Sequence, residues 1–124
     1  MNKKHILIVE DNPIATKIAK KLFEDLDCIV DCADDGDKAI DLASVNHYDG
    51  ICMDIGLPTL NGIEACNSIR NYEVKNHLKP VPIIALTGNS APNEIAEYLK
   101  AGMQEVLSKP FTEEKAKKFL SLCN

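Results

Sequence analysis

The 124-residue chain has no apolar run approaching the roughly 20 residues that a membrane-spanning helix requires. Its first stretch, Met1 to Val9, carries two lysines and a short apolar run. It lacks the longer apolar region and small-residue cleavage site of a secretory leader. A cytoplasmic location without membrane contact is therefore expected. No pair among Cys28, Cys32, Cys52, Cys66 and Cys123 has C-x-x-C spacing, and His5, His47 and His77 are scattered. That argues against a zinc or thiol-redox centre. The thiols read instead as small, mostly buried hydrophobes of a reducing compartment. Lysine and arginine number 14 against 19 aspartates and glutamates, for a net charge of −5. The clustered basic surface that nucleic-acid binding needs is missing. Linker-like, low-complexity and repeated segments are missing too.

What remains is an ordinary soluble composition, 45% hydrophobic and 27% charged. A chain of this size fits one domain spanning residues 1–124, able to bury roughly two-thirds of its unfolded surface without a disulfide or metal staple. Strand-like and helix-like patterns alternate five times. The strand candidates are "HILIVE" (5–10), "IVDCA" (29–33), "DGICMD" (49–54), "VPIIALT" (81–87) and "QEVLS" (104–108). The first, third and fourth are near-continuous apolar runs, as strands covered on both faces must be, and the second alternates like an edge strand.

Helical patterns fill the gaps. Asn12 can cap a helix whose first position suits Pro13. An apolar row Ile14, Ile18, Leu22, Leu26 follows, with Ala15, Ala19 and Phe23 beside it and Lys17, Lys20 and Lys21 on the other side. A second helix is predicted over 37–46 and a third from Asn61-Gly62 through Ile63, Cys66 and Ile69. A fourth follows Ser90-Ala91-Pro92 with Ile95, Ala96 and Leu99 inward and Gly102 at its end. A fifth starts at Thr112 with Ala116, Phe119, Leu120 and Cys123 on one stripe. The polar stretch from Asn71 to Lys79 reads as a helix end and loop. A (βα)5 order predicts an α/β fold, a doubly wound parallel five-stranded sheet with helices on both faces.

Open parallel sheets bind ligands outside the carboxyl ends of their strands. The first strand ends in Glu10-Asp11, the third in Asp54, the fourth in Thr87-Gly88 and the fifth in Ser108-Lys109-Pro110. Three converging carboxylates repel one another, and a divalent cation relieves this; hard oxygen donors suit Mg²⁺ (or Mn²⁺). Lys109 adds a mobile positive charge, Thr87 a hydroxyl, and Gly88 a backbone N–H that a ligand can approach closely. Together they suit a dianionic phosphoryl group arriving at Asp54 as nucleophile, which gives an acyl phosphate. Gly56 is expected to turn the chain tightly so that its carbonyl faces the metal. The competing view of each acid alone is plainer: Asp54 as a turn former, and Glu10-Asp11 as a capping segment. Capping alone accounts poorly for polar groups at four strand ends together.

The segments "ILIVEDN" (6–12), "MDIGLPTLNGIEA" (53–65), "PIIALTG" (82–88) and "LSKPF" (107–111) resemble, in order and spacing, the receiver domain of two-component response regulators. The resemblance implies the flavodoxin-like strand order 2-1-3-4-5. It implies that Asp54 accepts a phosphoryl group and that Asp11 ligates Mg²⁺ directly, with Glu10 acting partly through water. Gly56 would supply its carbonyl to the metal, Thr87 would bond the phosphoryl oxygen, and Lys109 would pair with it. Pro58 and Gly62 match the loop after the acceptor strand, while Gly56 and Asn89 flank the path of attacking water. Members that signal through a conformational switch often carry Tyr or Phe where this chain has Val106; receivers of hybrid sensor histidine kinases often lack it. That branch implies a phosphorelay module, not a free-standing enzyme, that takes phosphate from a kinase histidine and passes it to a histidine-phosphotransfer partner. The chain would then be either a lone receiver or a piece of a longer protein such as a hybrid kinase, and a monomer or weak dimer. The lysine run of the first helix reads first as a solvated face, with docking to a phosphotransfer helix bundle as the functional alternative; Ile14 and Ala15 would be apolar contacts there, and an exposed part of the fourth helix, including Tyr98, is expected at dimer or output contacts.

Three alternatives have discriminating residues. An aspartyl-phosphate phosphatase or phosphotransferase wants a second Asp two residues after the nucleophile, where Gly56 stands. A flavodoxin-like cofactor binder wants a Ser/Thr/Gly-rich loop after the first strand, where Glu10-Asp11-Asn12-Pro13 stands. A degenerate, binding-only receiver has no use for the full set of Asp11, Asp54, Thr87 and Lys109.

Overall fold

The computed structural model describes residues 3–56, 61–88 and 91–123. Five strands alternate with five helices: β1 (His5–Val9), α1 (Pro13–Asp25), β2 (Ile29–Ala33), α2 (Gly36–Val45), β3 (Gly50–Asp54), α3 (Gly62–Lys75), β4 (Ile83–Thr87), α4 (Pro92–Lys100), β5 (Glu105–Ser108) and α5 (Glu113–Ser121). All pair in parallel in the order β2-β1-β3-β4-β5. All five residues of central β3 are buried, whereas β2 has only Ala33 fully inside, as the apolar and alternating patterns predicted.

The period-2 alternation of each strand divides the core in two. Leu7, Val9, Ile51, Met53, Ile83 and Ala85 face a cluster with Ala39, Ala65, Cys66 and Ile69 of α2 and α3. Ile6, Ile8, Cys52, Ile84 and Leu86 face Ala19, Phe23, Ala116 and Phe119 of α1 and α5. Four helices start where a side chain satisfies their free N–H groups. The Asn12 side chain accepts from Ile14 and Ala15, Asp35 from Lys38, Asn61 from Glu64 and Thr112 from Lys115. Among the described residues no helix is long and apolar enough to cross a membrane. Four of the five cysteines are buried as expected; Cys32, on edge strand β2, is exposed.

Two helices turn differently from expectation. On α1 the core positions are Ala19 and Phe23, while Ile14 and Ile18 are 72% and 52% exposed. A four-residue step overshoots a full turn by about 40°, so a row spaced by four winds off the sheet-facing side. On α4 the inward residue is Tyr98, 5% exposed, with Ile95 half-buried; Ala96 and Leu99 face solvent. The placement of Tyr98 on an exposed output surface is therefore corrected. A nine-residue helix at the sheet margin has little inward surface, and the large aromatic buries the most apolar area there, joining Met103 and Val106 in one cluster. Gly102, with φ of 111°, ends the helix as expected.

Candidate functional site

The parallel topology sets the ends of β1, β3, β4 and β5 along one rim. Backbone pairing runs one residue past β1, where Glu10 N donates to Ala33 O at 3.0 Å. This carries the Glu10 side chain into the crevice with only 6% exposure, while Asp11, next along, stands in the open mouth. Asp54 ends the central strand opposite Leu86 and is also 6% exposed. Carboxylate oxygens of Glu10, Asp11 and Asp54 lie within 4.8 Å of one another.

Lys109, just beyond β5, answers them. Its Nζ lies 3.1 Å from Asp54 Oδ1 and 3.4 Å from Glu10 Oε1. Its backbone N–H donates to Thr87 O at 2.8 Å, tying the end of β5 to the end of β4, and the Lys109–Pro110 peptide is cis. Two backbone amides add weaker support, Gly56 N to Asp54 Oδ1 at 3.3 Å and Asn12 N to Glu10 Oε2 at 3.2 Å. Three carboxylates against one ammonium leave the site formally at −2.

Ionisation follows from this imbalance. Burial raises the Glu10 carboxyl above its ordinary value; the Asn12 amide opposes the rise and the Asp54 charge adds to it. For Lys109 burial is the largest single influence and acts downward, but Asp54 and Glu10 together outweigh it and hold the ammonium above its usual value. The donor set is all oxygen, anionic and partly buried, which fits a hard divalent cation. At the neighbouring strand end Thr87 is half-buried and Gly88 is exposed.

One expected reason changes. Gly56 lies outside the left-handed region, and a Cβ on it meets nothing within 4 Å among the described residues, so its own conformation does not require glycine. The sterically required glycine is Gly62, at the start of α3. A Cβ there sits 2.9 Å from the Asp54 carbonyl and 3.1 Å from Ile55 Cα, so only glycine lets α3 close on the end of β3. Pro58 and Asn89 fall outside the described residues. The reading of residue types missed the Asn12 amide, whose signal as a cap hid its second contact, and Lys115, which reaches the Lys109 turn from α5.

Residues 6–121 match the response regulator receiver domain family. Transcription factor SKN7 of Candida albicans is 38% identical over 112 residues, which are 90% of this chain and 19% of that protein. The chain thus spans about a fifth of that relative. The receiver domain of sensor histidine kinase PA1611 from Pseudomonas aeruginosa, with a magnesium ion coordinated in its active-site cleft, superposes with a TM-score of 0.86 at 34% identity, covering 98% of both chains. The receiver domain of Ssk1 from Saccharomyces cerevisiae, in complex with the histidine phosphotransfer protein Ypd1, gives 0.90 at 30% identity, covering 97% of this chain and 88% of that chain.

Proposed function

The chain belongs to the response regulator receiver domain family, and from that premise we propose that it is a cytoplasmic phosphorelay receiver that accepts a phosphoryl group on Asp54. The observation that carries this is the pairing of a buried, chain-central carboxylate with Lys109 at 3.1 Å inside a site short of positive charge. Asp11, Asp54, the Gly56 carbonyl and, partly through water, Glu10 would hold Mg²⁺ (or Mn²⁺), which supplies neutralisation of the phosphoryl oxygens when bound.

The chain's own residues do the rest. An Asp54 oxygen attacks phosphorus; the new O–P bond forms as the P–N bond of a kinase phosphohistidine breaks, and its electron pair returns to the imidazole nitrogen. Lys109 shifts from its contact with Asp54 to the added phosphoryl oxygens, while the Thr87 hydroxyl and Gly88 N–H complete the cradle. The resulting acyl phosphate passes to the histidine of a phosphotransfer partner by the reverse bond exchange, or to water. The domain, residues 1–124, acts as a signalling module and is phosphorylated on itself.

The test is intact mass after incubation with acetyl phosphate, with and without Mg²⁺, beside Asp54→Asn. One added phosphoryl group that needs Mg²⁺ and vanishes in the variant supports the reading. Absence of both that adduct and beryllofluoride binding in the native chain would sink it.

A further inference from the structure

The turn that carries Lys109 is gripped by a second lysine. Lys115, in the first turn of α5, donates from Nζ to the Ser108 carbonyl at 2.6 Å, the Ser108 hydroxyl at 3.1 Å and the Pro110 carbonyl at 3.1 Å. An ammonium has three protons, so these acceptors use its whole donor capacity. They belong to the two residues on either side of Lys109. The placement is unfavourable on local grounds, because a cation in the first turn faces the positive end of the helix dipole. Glu113 and Glu114, beside it, are what the dipole favours. Three convergent oxygens from the preceding turn offset that cost.

The geometry reaches the acid cluster through one peptide plane. The carbonyl of the Ser108–Lys109 peptide accepts from Lys115, and the N–H of the same peptide donates to Thr87 O at 2.8 Å. A plane tied at both ends sets the direction in which the Lys109 side chain leaves the backbone. That direction carries its Nζ to Asp54 and Glu10. Resting on the phosphoacceptor reading above, we infer that Lys115 is a positioning residue: it holds the Ser108–Pro110 turn so that Lys109 meets the phosphoryl group at Asp54.

Lys115→Met should slow phosphorylation of Asp54 by acetyl phosphate about tenfold at saturating Mg²⁺, as a misplaced charge at a reacting centre does. Mg²⁺ affinity and melting temperature should hardly move, since the metal ligands lie on other strands and the lost bonds are exposed. Lys117→Met removes the same charge from the same helix, where Lys117 pairs with the exposed Glu113 at 3.4 Å, and should leave the rate unchanged. Lys115→Arg should recover most of the rate. Ser108→Ala should slow the native chain mildly and add nothing to Lys115→Met, the signature of one shared contact. Equal slowing by Lys115→Met and Lys117→Met, or a native rate in Lys115→Met, overturns the inference and leaves the phosphoacceptor reading standing. If the native chain itself takes no phosphoryl group, the functional reading fails and a crystal structure of Lys115→Met decides the geometry. Lys109 Nζ drawn away from Asp54 supports the clamp, and Lys109 still at 3.1 Å overturns it.

Discussion

Glu10 and Glu73 are equally buried, each 6% exposed, and stand at opposite ends of the sheet. Glu73, on α3 near the start of β4, is fully matched. Arg70 Nη1 donates to one carboxylate oxygen at 2.7 Å and the Val81 amide to the other at 2.7 Å. Arg70 is itself engaged, giving Nε and Nη2 to the Gly102 carbonyl at 3.1 and 2.8 Å. This network fastens the loop after α3 and the turn after α4 to the body of the domain. Glu10 has a single amide at 3.2 Å, a shared lysine at 3.4 Å and a neighbouring carboxylate. The same residue type at the same depth is a fastener in one place and an unbalanced charge in the other. Burial alone does not mark a functional acid; incomplete neutralisation does.

The contrast breaks most sharply at Glu73. Glu73→Ala leaves the Arg70 cation without its carboxylate and the Val81 amide without an acceptor, and should cost about 3 kcal/mol of stability in urea denaturation. Asp54 should still take phosphate in the fraction that remains folded. Glu10→Gln should do the reverse: it relieves repulsion, so the metal-free domain melts higher, while Mg²⁺ affinity falls by about tenfold. A higher Mg²⁺ affinity or a lower melting temperature in that variant would erase the distinction between the two glutamates.

The pH dependence sharpens the same point. A carboxyl raised by burial holds its proton longer in the folded chain than in the unfolded one. Stability therefore falls as pH rises from its ordinary value, 4.5, through the raised folded value. Without Mg²⁺ this decline should separate the native chain from Glu10→Gln, and saturating Mg²⁺ should flatten it. The smallest effect belongs to an exposed pair. Disrupting Lys21–Asp25, at 3.4 Å with both side chains mostly in solvent, should leave melting temperature and phosphorylation rate within error.

Much of the architecture was legible because strands buried on two faces must be apolar throughout. β1, β3 and β4 read correctly from that constraint, and Asn12, Asn61 and Thr112 correctly marked helix starts. Amphipathic register was less legible. Ile18 and Tyr98 exchanged their expected environments because a helix faces whatever the sheet presents, and a short apolar row does not state its angle to it. At the site, Glu10, Asp11, Asp54 and Lys109 were found by asking what stands at each strand end. Thr87 and Gly88 fall at the end of β4 by the same rule.

The glycine at 56 was assigned a steric necessity that belongs to Gly62, since close approach between α3 and the Asp54 carbonyl exists only once the helix has docked. The Arg70–Glu73–Val81 network and the Lys115 grip were invisible for the same reason. Charged residues on amphipathic helices read as solvated faces until their partners arrive from other elements. By itself the sequence determined the element order, the layered core and the chemistry available at the rim, because periodicity and residue type are local properties. Only the tertiary structure decided which acids are neutralised and which are left in deficit. That balance depends on distances of about 3 Å between groups dozens of residues apart, such as Lys109 and Asp54.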